Sequence, residues 1–233
     1  MKLEIKNVKI EKLVLKNDSC VETSNSSPSP YWLFPGIVHN LMLQQVLGAI
    51  PSFKIKSEKA QEIFKMKIID LNKNLELGYN EEDIKAINVL PPKGENIYDY
   101  LKNILLNGGN TGPFNPEPSI VEKWIEVLDI LEKNKENLKK SAMELSEFYK
   151  NNIRQVNNKE VFTKILSITY HSAKLYSKKE NRIQLLKNVS NDDVIKHEAS
   201  INWWKVAGCD GLGLLAGGVG AVIASGCSAI NQS

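Results

Sequence analysis

The last stretch of the chain limits its possible folds more than any other part. No charged residue occurs from Gly211 to Ser233, although 24% of the 233 residues are charged. Seven of the 14 glycines fall between Gly208 and Gly226. An apolar run of this length is typical of a segment that enters a bilayer or packs backbone to backbone with a copy of itself.

The bulk composition predicts a folded protein and argues against two classes of function. A hydrophobic fraction of 42% is enough for a core, and the length suits one domain with a tail. A net charge of +3, with only two arginines among the basic residues, is a poor footprint for nucleic-acid binding. The three cysteines are too few and too scattered for a disulfide framework or a zinc site.

The first residues carry no secretory signal, because lysines and glutamates interrupt every apolar stretch there. Together with the lysine- and asparagine-rich composition, this predicts synthesis in a bacterial cytoplasm without a signal peptide. Export would then use a signal-independent route, unless the protein associates with a membrane where it is made.

The first half divides into three regions. Residues 1–22 alternate apolar and charged positions and predict a strand region, and residues 23–30 form a linker rich in serine and proline. Residues 31–116 predict a small helical region that ends in a glycine-rich loop. Its expected helices cover Ile37–Ile50, Ser57–Leu75, a short segment from Asn80, and Glu95–Leu106. A β-hairpin through residues 72–74 is an alternative to the second helix.

Residues 117–205 predict a long helical hairpin followed by connecting helices. A heptad seam starts at Pro118 and is interrupted only by Asn134 and Ser141. Its apolar members are Ile120, Trp124, Val127, Leu131, Leu138, Leu145 and Phe148. A break at Asn157 and a second helix over Lys159–Tyr176 complete an antiparallel pair. The fold class is therefore mainly α, a helical bundle whose last part, residues 206–233, is a glycine-rich apolar helix or hairpin.

The sequence contains no motif that indicates catalysis, a cofactor or a metal. His197 and Glu198 begin an HExxH string, but Ile201 occupies the position of the second histidine. The glycine pattern at Gly211 and Gly213 lacks the preceding strand that a dinucleotide site requires. The sequence therefore predicts a non-enzymatic protein with no cofactor and no metal site.

The tail admits several structures. As one membrane helix its larger aliphatic side chains contribute only about −2 to −4 kcal/mol, so insertion or oligomer formation would rely on close contacts between small residues. The residues predicted for membrane contact or self-association are Trp203, Trp204, Gly213, Gly217, Gly218, Gly220, Ala221 and Ala224. A flexible terminus is a further alternative.

A hairpin with its turn at Gly217 and Gly218 is the other ordered form of the tail. It would bring Cys209 opposite Cys227 and allow a disulfide, whereas a straight helix would separate these residues by about 27 Å. Cross-linking of the two cysteines therefore distinguishes the two shapes.

The stretch from Trp203 through the double glycine Gly217-Gly218 to Ala221 resembles the Gly/Ala-rich segments of class II bacteriocin-like peptides. The likeness covers about the last 30 residues and implies membrane permeabilisation. The leading expectation is thus a membrane-active or self-associating bacterial protein, an antibacterial toxin or effector, whose tail inserts into lipid or forms a homo-oligomer. The alternative is a soluble helical adaptor or assembly protein whose hairpin and tail dock on a partner protein.

Overall fold

The structure is a computed structural model that describes residues 34–75, 77–92, 95–107, 116–187, 189 and 194–232. Within these ranges the chain is mainly helical, and it forms no strand. The mainly α prediction is confirmed, as is the bundle. The predicted strand region 1–22 and linker 23–30 lie outside the described residues.

Eleven α-helices follow one another in the described part of the chain. They are α1 (Phe34–Leu47), α2 (Ser57–Leu75), α3 (Glu81–Ala86), α4 (Ile97–Leu106), α5 (Pro118–Lys133), α6 (Leu138–Asn152), α7 (Lys159–Tyr176), α8 (Lys179–Leu186), α9 (Val194–Ser200), α10 (Trp203–Leu212) and α11 (Gly218–Asn231). A 3₁₀ turn (Gly213–Ala216) connects the last two.

Asparagine side chains begin four of these helices. The side-chain oxygens of Asn80, Asn96, Asn137 and Asn158 each accept a hydrogen bond from a backbone N–H in the first turn of α3, α4, α6 and α7. Such caps satisfy N–H groups that have no partner within the helix. The abundance of asparagine thus has a direct structural use.

The helix predicted from Pro118 onwards is divided in two. Asn134, one of the two polar positions of the seam, ends α5, and its side-chain amide donates to the Ile130 carbonyl at 3.0 Å and to Glu144 Oε2 at 3.0 Å. The chain then turns, and α6 begins after Asn137. The stretch predicted as two long helices consists of three, with α5 and α6 both packed against α7.

The first helix also begins earlier than predicted. α1 starts at Phe34 and therefore includes Gly36, which lies outside the expected helix Ile37–Ile50. The backbone N–H of Gly36 donates to Ser167 Oγ at 3.0 Å, so that α1 crosses α7 at close range. By contrast, α2 covers Ser57–Leu75 as predicted, and the β-hairpin alternative is wrong.

The glycine-rich segment lies at the centre of the bundle. Every residue from Val206 to Ala216 and from Val219 to Ile230 is buried. Helices α1, α2, α4 and α7 pack around α10 and α11. The segment is therefore neither a flexible terminus nor a surface helix, but the core on which the other helices assemble. Among the described residues, no helix is both long enough and apolar enough to cross a membrane.

Candidate functional site

The residues from Trp203 to Asn231 form a helical hairpin, which we call the core hairpin. Its first arm is α10 with the 3₁₀ turn, and its second arm is α11. The chain reverses at Gly217, whose φ of 88° and ψ of 174° suit glycine. Of the residues from Val206 to Ile230, only Gly217 and Gly218 are not buried, so within this range only the tip of the core hairpin reaches the surface.

Small residues allow the two arms to approach with their backbones almost in contact. A Cβ atom at Gly213 would lie 2.6 Å from Ala221 Cα, and a Cβ atom at Gly220 would lie 2.5 Å from the Gly213 carbonyl oxygen. Gly213, Gly220 and Ala221 were predicted to pack against a membrane partner or a second copy of the chain. In this structure they pack arm against arm within one molecule, and Ala224 is fully buried on the same helix as Ala221.

We expect substitution of Gly220 by alanine to destabilise the protein by about 1–3 kcal/mol, because the new methyl group would force two backbones apart. Gly218→Ala is the matched control, since its Cβ would meet only the Tyr79 hydroxyl, at 3.8 Å. That control should be neutral or stabilising by about 0.4–1 kcal/mol, because alanine reduces the entropy of the unfolded chain. Urea unfolding followed by circular dichroism measures both values. Equal stability of the two variants would contradict the close contact of the arms.

A buried polar cluster connects both arms to the surrounding helices. Asp210 is the only charged residue of the core hairpin after Lys205, and it is fully buried. The Tyr176 hydroxyl of α7 donates to Asp210 Oδ2 at 3.0 Å. His39 of α1 places Nε2 at 3.6 Å from Asp210 Oδ1 and at 3.5 Å from the Ser225 hydroxyl of α11. One histidine thus contacts both arms.

Burial shifts the pKa values of the ionisable side chains in this cluster and of His171 nearby. It raises the pKa of Asp210 to about 6, while nearby His39, Ser172 and Tyr176 limit the rise. Burial also raises the pKa of the Tyr176 hydroxyl, and the adjacent carboxylate adds to that effect. On α7, burial lowers the pKa of His171 to about 3, assisted by the positive charge of Lys174 and by His39.

The cluster contains a serine, a histidine and an aspartate, but not in the geometry of a serine nucleophile. In that arrangement the serine and the carboxylate contact different nitrogens of the imidazole. Here both approach Nε2, and the Ser225 and Asp210 side chains are fully buried. Within the described residues, no group of three histidine, cysteine or acidic side chains could hold a metal ion.

The two tryptophans predicted as a membrane border occupy different environments. Trp203 is 7% exposed, and its indole N–H donates to the Glu198 carbonyl at 3.0 Å. Trp204 is half-buried against Tyr98, with ring centroids 5.1 Å apart. Their predicted contact with lipid therefore requires a rearrangement of the bundle and stays a prediction.

The two cysteines of the core hairpin lie on opposite arms. Cys209 on α10 and Cys227 on α11 are buried free thiols. Burial raises the pKa of Cys209, which leaves its thiol protonated at neutral pH. The tail has the hairpin form for which a disulfide was considered, and the cross-link itself stays a prediction.

Comparison of the chain with protein-family models, with curated proteins and with solved structures gives no match. The candidate site therefore rests on the geometry of the core hairpin and its polar cluster. Sequence reasoning identified the hairpin residues but missed His39 and Tyr176 as partners of Asp210. The available signal was the isolation of Asp210 and His39, because no other histidine, lysine, arginine, aspartate or glutamate occurs in the apolar stretch that holds each of them.

Proposed function

We propose that this chain is a membrane-active protein of bacterial antagonism, which keeps its apolar segment inside a helical bundle and releases it at a lipid surface. One observation carries the proposal. The apolar segment Val206–Ile230, whose one charged residue is Asp210, lies at the centre of the fold, and of its residues only Gly217 and Gly218 reach the surface. The resemblance to class II bacteriocin-like peptides supports the same behaviour.

The energetics of the core hairpin favour an exchange between two apolar surroundings. Exposure of its aliphatic side chains to water costs about 1.5–3 kcal/mol for each large one, whereas a bilayer core is as apolar as the protein interior. The hairpin can therefore leave the bundle at a small cost only where lipid receives it. Asp210 opposes insertion while it is ionised, and a pKa of about 6 brings its neutral form within reach at mildly acidic pH.

The surrounding helices are amphipathic, which is the property they need if the core hairpin moves from the bundle into a membrane. α5 buries one face, which includes Trp124 and Leu131, and it carries glutamate and lysine on the other. Helices of this kind can lie at a membrane interface with the apolar face turned into lipid. Opening of the bundle would thus leave the apolar faces of the outer helices covered as well.

The alternative is a soluble adaptor that docks its helical hairpin and tail on a partner protein. The burial of the tail counts against this alternative, because no side chain between Val206 and Ala216 is available to a partner in this conformation. An adaptor would remain with the aqueous fraction in the experiment below.

The test uses a reversible lock between α11 and α2. Asn231 Nδ2 lies 3.3 Å from Ser57 Oγ at the surface of the bundle, so cysteines are placed at these two positions, and loss of free thiol on oxidation shows that the bridge has formed. The variant Ser57→Cys with Asn231→Cys is made in a chain whose three native cysteines are alanine. It is then mixed with dye-filled vesicles of phosphatidylethanolamine and phosphatidylglycerol, and flotation and dye release are measured.

We expect the reduced protein to float with the vesicles and release dye, and the oxidised protein to do neither. The same molecule is its own control, since only one bond differs. Equal dye release in both states would contradict release of the core hairpin. Absence of flotation in the reduced state would reject membrane activity and favour the adaptor.

A further inference from the structure

The arms of the core hairpin are too short to cross a bilayer as they stand. The first arm, Trp203–Ala216, and the second, Gly218–Asn231, have 14 residues each. A 14-residue α-helix is about 21 Å long, whereas the hydrocarbon core of a bilayer is about 30 Å thick. A hairpin inserted with its turn intact would reach only about two thirds of the way through.

The same residues in one continuous helix have the required length. Gly211–Ile230 is an uncharged run of 20 residues, bounded by Asp210 on one side and Asn231 on the other. As an α-helix this run would be about 30 Å long, which matches the hydrocarbon thickness. Both polar residues would then lie at the two edges of the bilayer.

A single residue separates these two shapes. Ala216 ends the 3₁₀ turn and Gly218 begins α11, so that Gly217 is the one non-helical residue between the arms. Its φ of 88° reverses the chain, and no atom lies within 4 Å of a Cβ placed on it. A side chain at position 217 would therefore meet open space, and what restricts this position to glycine is its backbone conformation.

We propose that Gly217 is a hinge, and that on a membrane the core hairpin opens at this residue into one transmembrane helix, Gly211–Ile230. The inference rests on the proposed function. The released segment would then cross the membrane as one straight helix and not as a hairpin. The contact between Gly213 and Ala221 is lost in this change, and lipid or the small residues of another span replace it.

The neighbouring glycines provide a matched pair of variants. Gly217→Ala strains the turn, because alanine rarely adopts a positive φ, and it favours the straight helix. Gly218→Ala adds the same methyl group one residue later, at a position with ordinary φ and open space. We expect Gly217→Ala to release dye from the phosphatidylethanolamine and phosphatidylglycerol vesicles at a protein concentration lower than wild type by about tenfold. Gly218→Ala should act like wild type.

A topology measurement keeps the inference testable if Gly217→Ala fails to fold. Gln232→Cys, made without the native cysteines, places one thiol just beyond the second arm. After vesicle binding, a straight span carries this thiol to the lumen, where a maleimide on a polymer too large to pass the dye leak reaches it only when the vesicles are lysed. In solution the same thiol should label completely.

Different results would reject the hinge at Gly217 and the proposed membrane activity. Dye release by wild type, with the thiol at position 232 still labelled from outside, would overturn the hinge and leave membrane activity standing. Weaker release by a Gly217→Ala variant that folds like wild type would also overturn the hinge, since the bound form would then need the turn. Failure of wild type to float would overturn both.

Discussion

A chain that ends at Lys205 should not fold. Removal of residues 206–233 takes away α11 and most of α10, which are the elements around which α1, α2, α4 and α7 pack. We expect the truncated protein to lose cooperative thermal unfolding and most of its helical circular dichroism. A chain that ends at Asn231 is the control, because among the described residues it loses only the hydrogen bonds of Gln232, and it should melt like the full protein.

The size of this effect follows from the side chains removed. They include eight larger aliphatic residues with an exposure of 8% or less: Val206, Leu212, Leu214, Leu215, Val219, Val222, Ile223 and Ile230. Burial of each contributes about 1.5–3 kcal/mol, so together they contribute about 12–24 kcal/mol, as much as or more than the roughly 5–15 kcal/mol by which a typical domain is stable. A cooperative transition in the chain that ends at Lys205 would show that the remaining helices have a core of their own.

This result affects how membrane activity can be tested. Loss of dye release on deletion of the tail would be expected of any protein that no longer folds, whether or not its tail enters lipid. The lock between positions 57 and 231 and the pair of variants at Gly217 and Gly218 avoid this ambiguity, because they leave the buried residues in place.

The sequence shows the uncharged run, but it does not show whether a membrane or the protein interior surrounds that run. The last 28 residues of the chain contain one charged residue, so this segment is expected to leave water. Either a bilayer or the interior of its own protein can receive it. Periodicity does not separate the two, since an all-round apolar helix suits both. The turn at Gly217, considered for the hairpin form, is the position at which the structure reverses the chain.

The division of the predicted long helix has a local cause. Asn134 was recognised as an exception in the apolar seam, and a seam tolerates single polar positions. What ends α5 is the pair of hydrogen bonds from the Asn134 amide, one of them to Glu144 on the next helix. The contact with Glu144 forms only when α6 has turned back, so the pattern within α5 does not contain it.

The polar cluster depends on contacts that are remote in the sequence. His39 and Ser225 are 186 positions apart, and a single sequence gives no measure of which buried polar groups meet. Asp210 stands out in the sequence because it is isolated in an apolar stretch. Its partners follow only from the packing of α1 and α7 around the core hairpin.

Asp210→Asn should make the protein more stable above pH 6 and leave its stability unchanged below about pH 4. The folded-state pKa of Asp210, about 6, lies above the ordinary value of 3.8, so the folded protein binds this proton more tightly than the unfolded chain does. Ionisation at neutral pH therefore costs about 3 kcal/mol of stability. Asparagine removes the charge, and its amide oxygen still accepts the hydrogen bond from Tyr176.

His171 has the opposite effect on stability. Its folded-state pKa, about 3, lies below the ordinary 6.5, so the unfolded chain binds this proton first. As pH falls from 6.5 to 3, stability falls by up to about 5 kcal/mol. As pH falls from about 6 to about 4, the stability lost through His171 nearly equals the stability gained through Asp210. These two groups together therefore change the wild-type free energy of unfolding very little over this range.

The free energy of urea unfolding, measured from about pH 8 to about pH 4, tests both assignments. Asp210→Asn should show a decline with acid that wild type lacks, and His171→Leu in the same chain should remove most of that decline. The informative quantity is the difference between variant and wild type, because carboxylates and histidines remote from the cluster contribute equally to both curves. A loss of stability in Asp210→Asn of the same size at every pH would contradict the buried-charge account. It would mean instead that asparagine disturbs the packing or hydrogen bonding of the cluster, whatever the charge of Asp210.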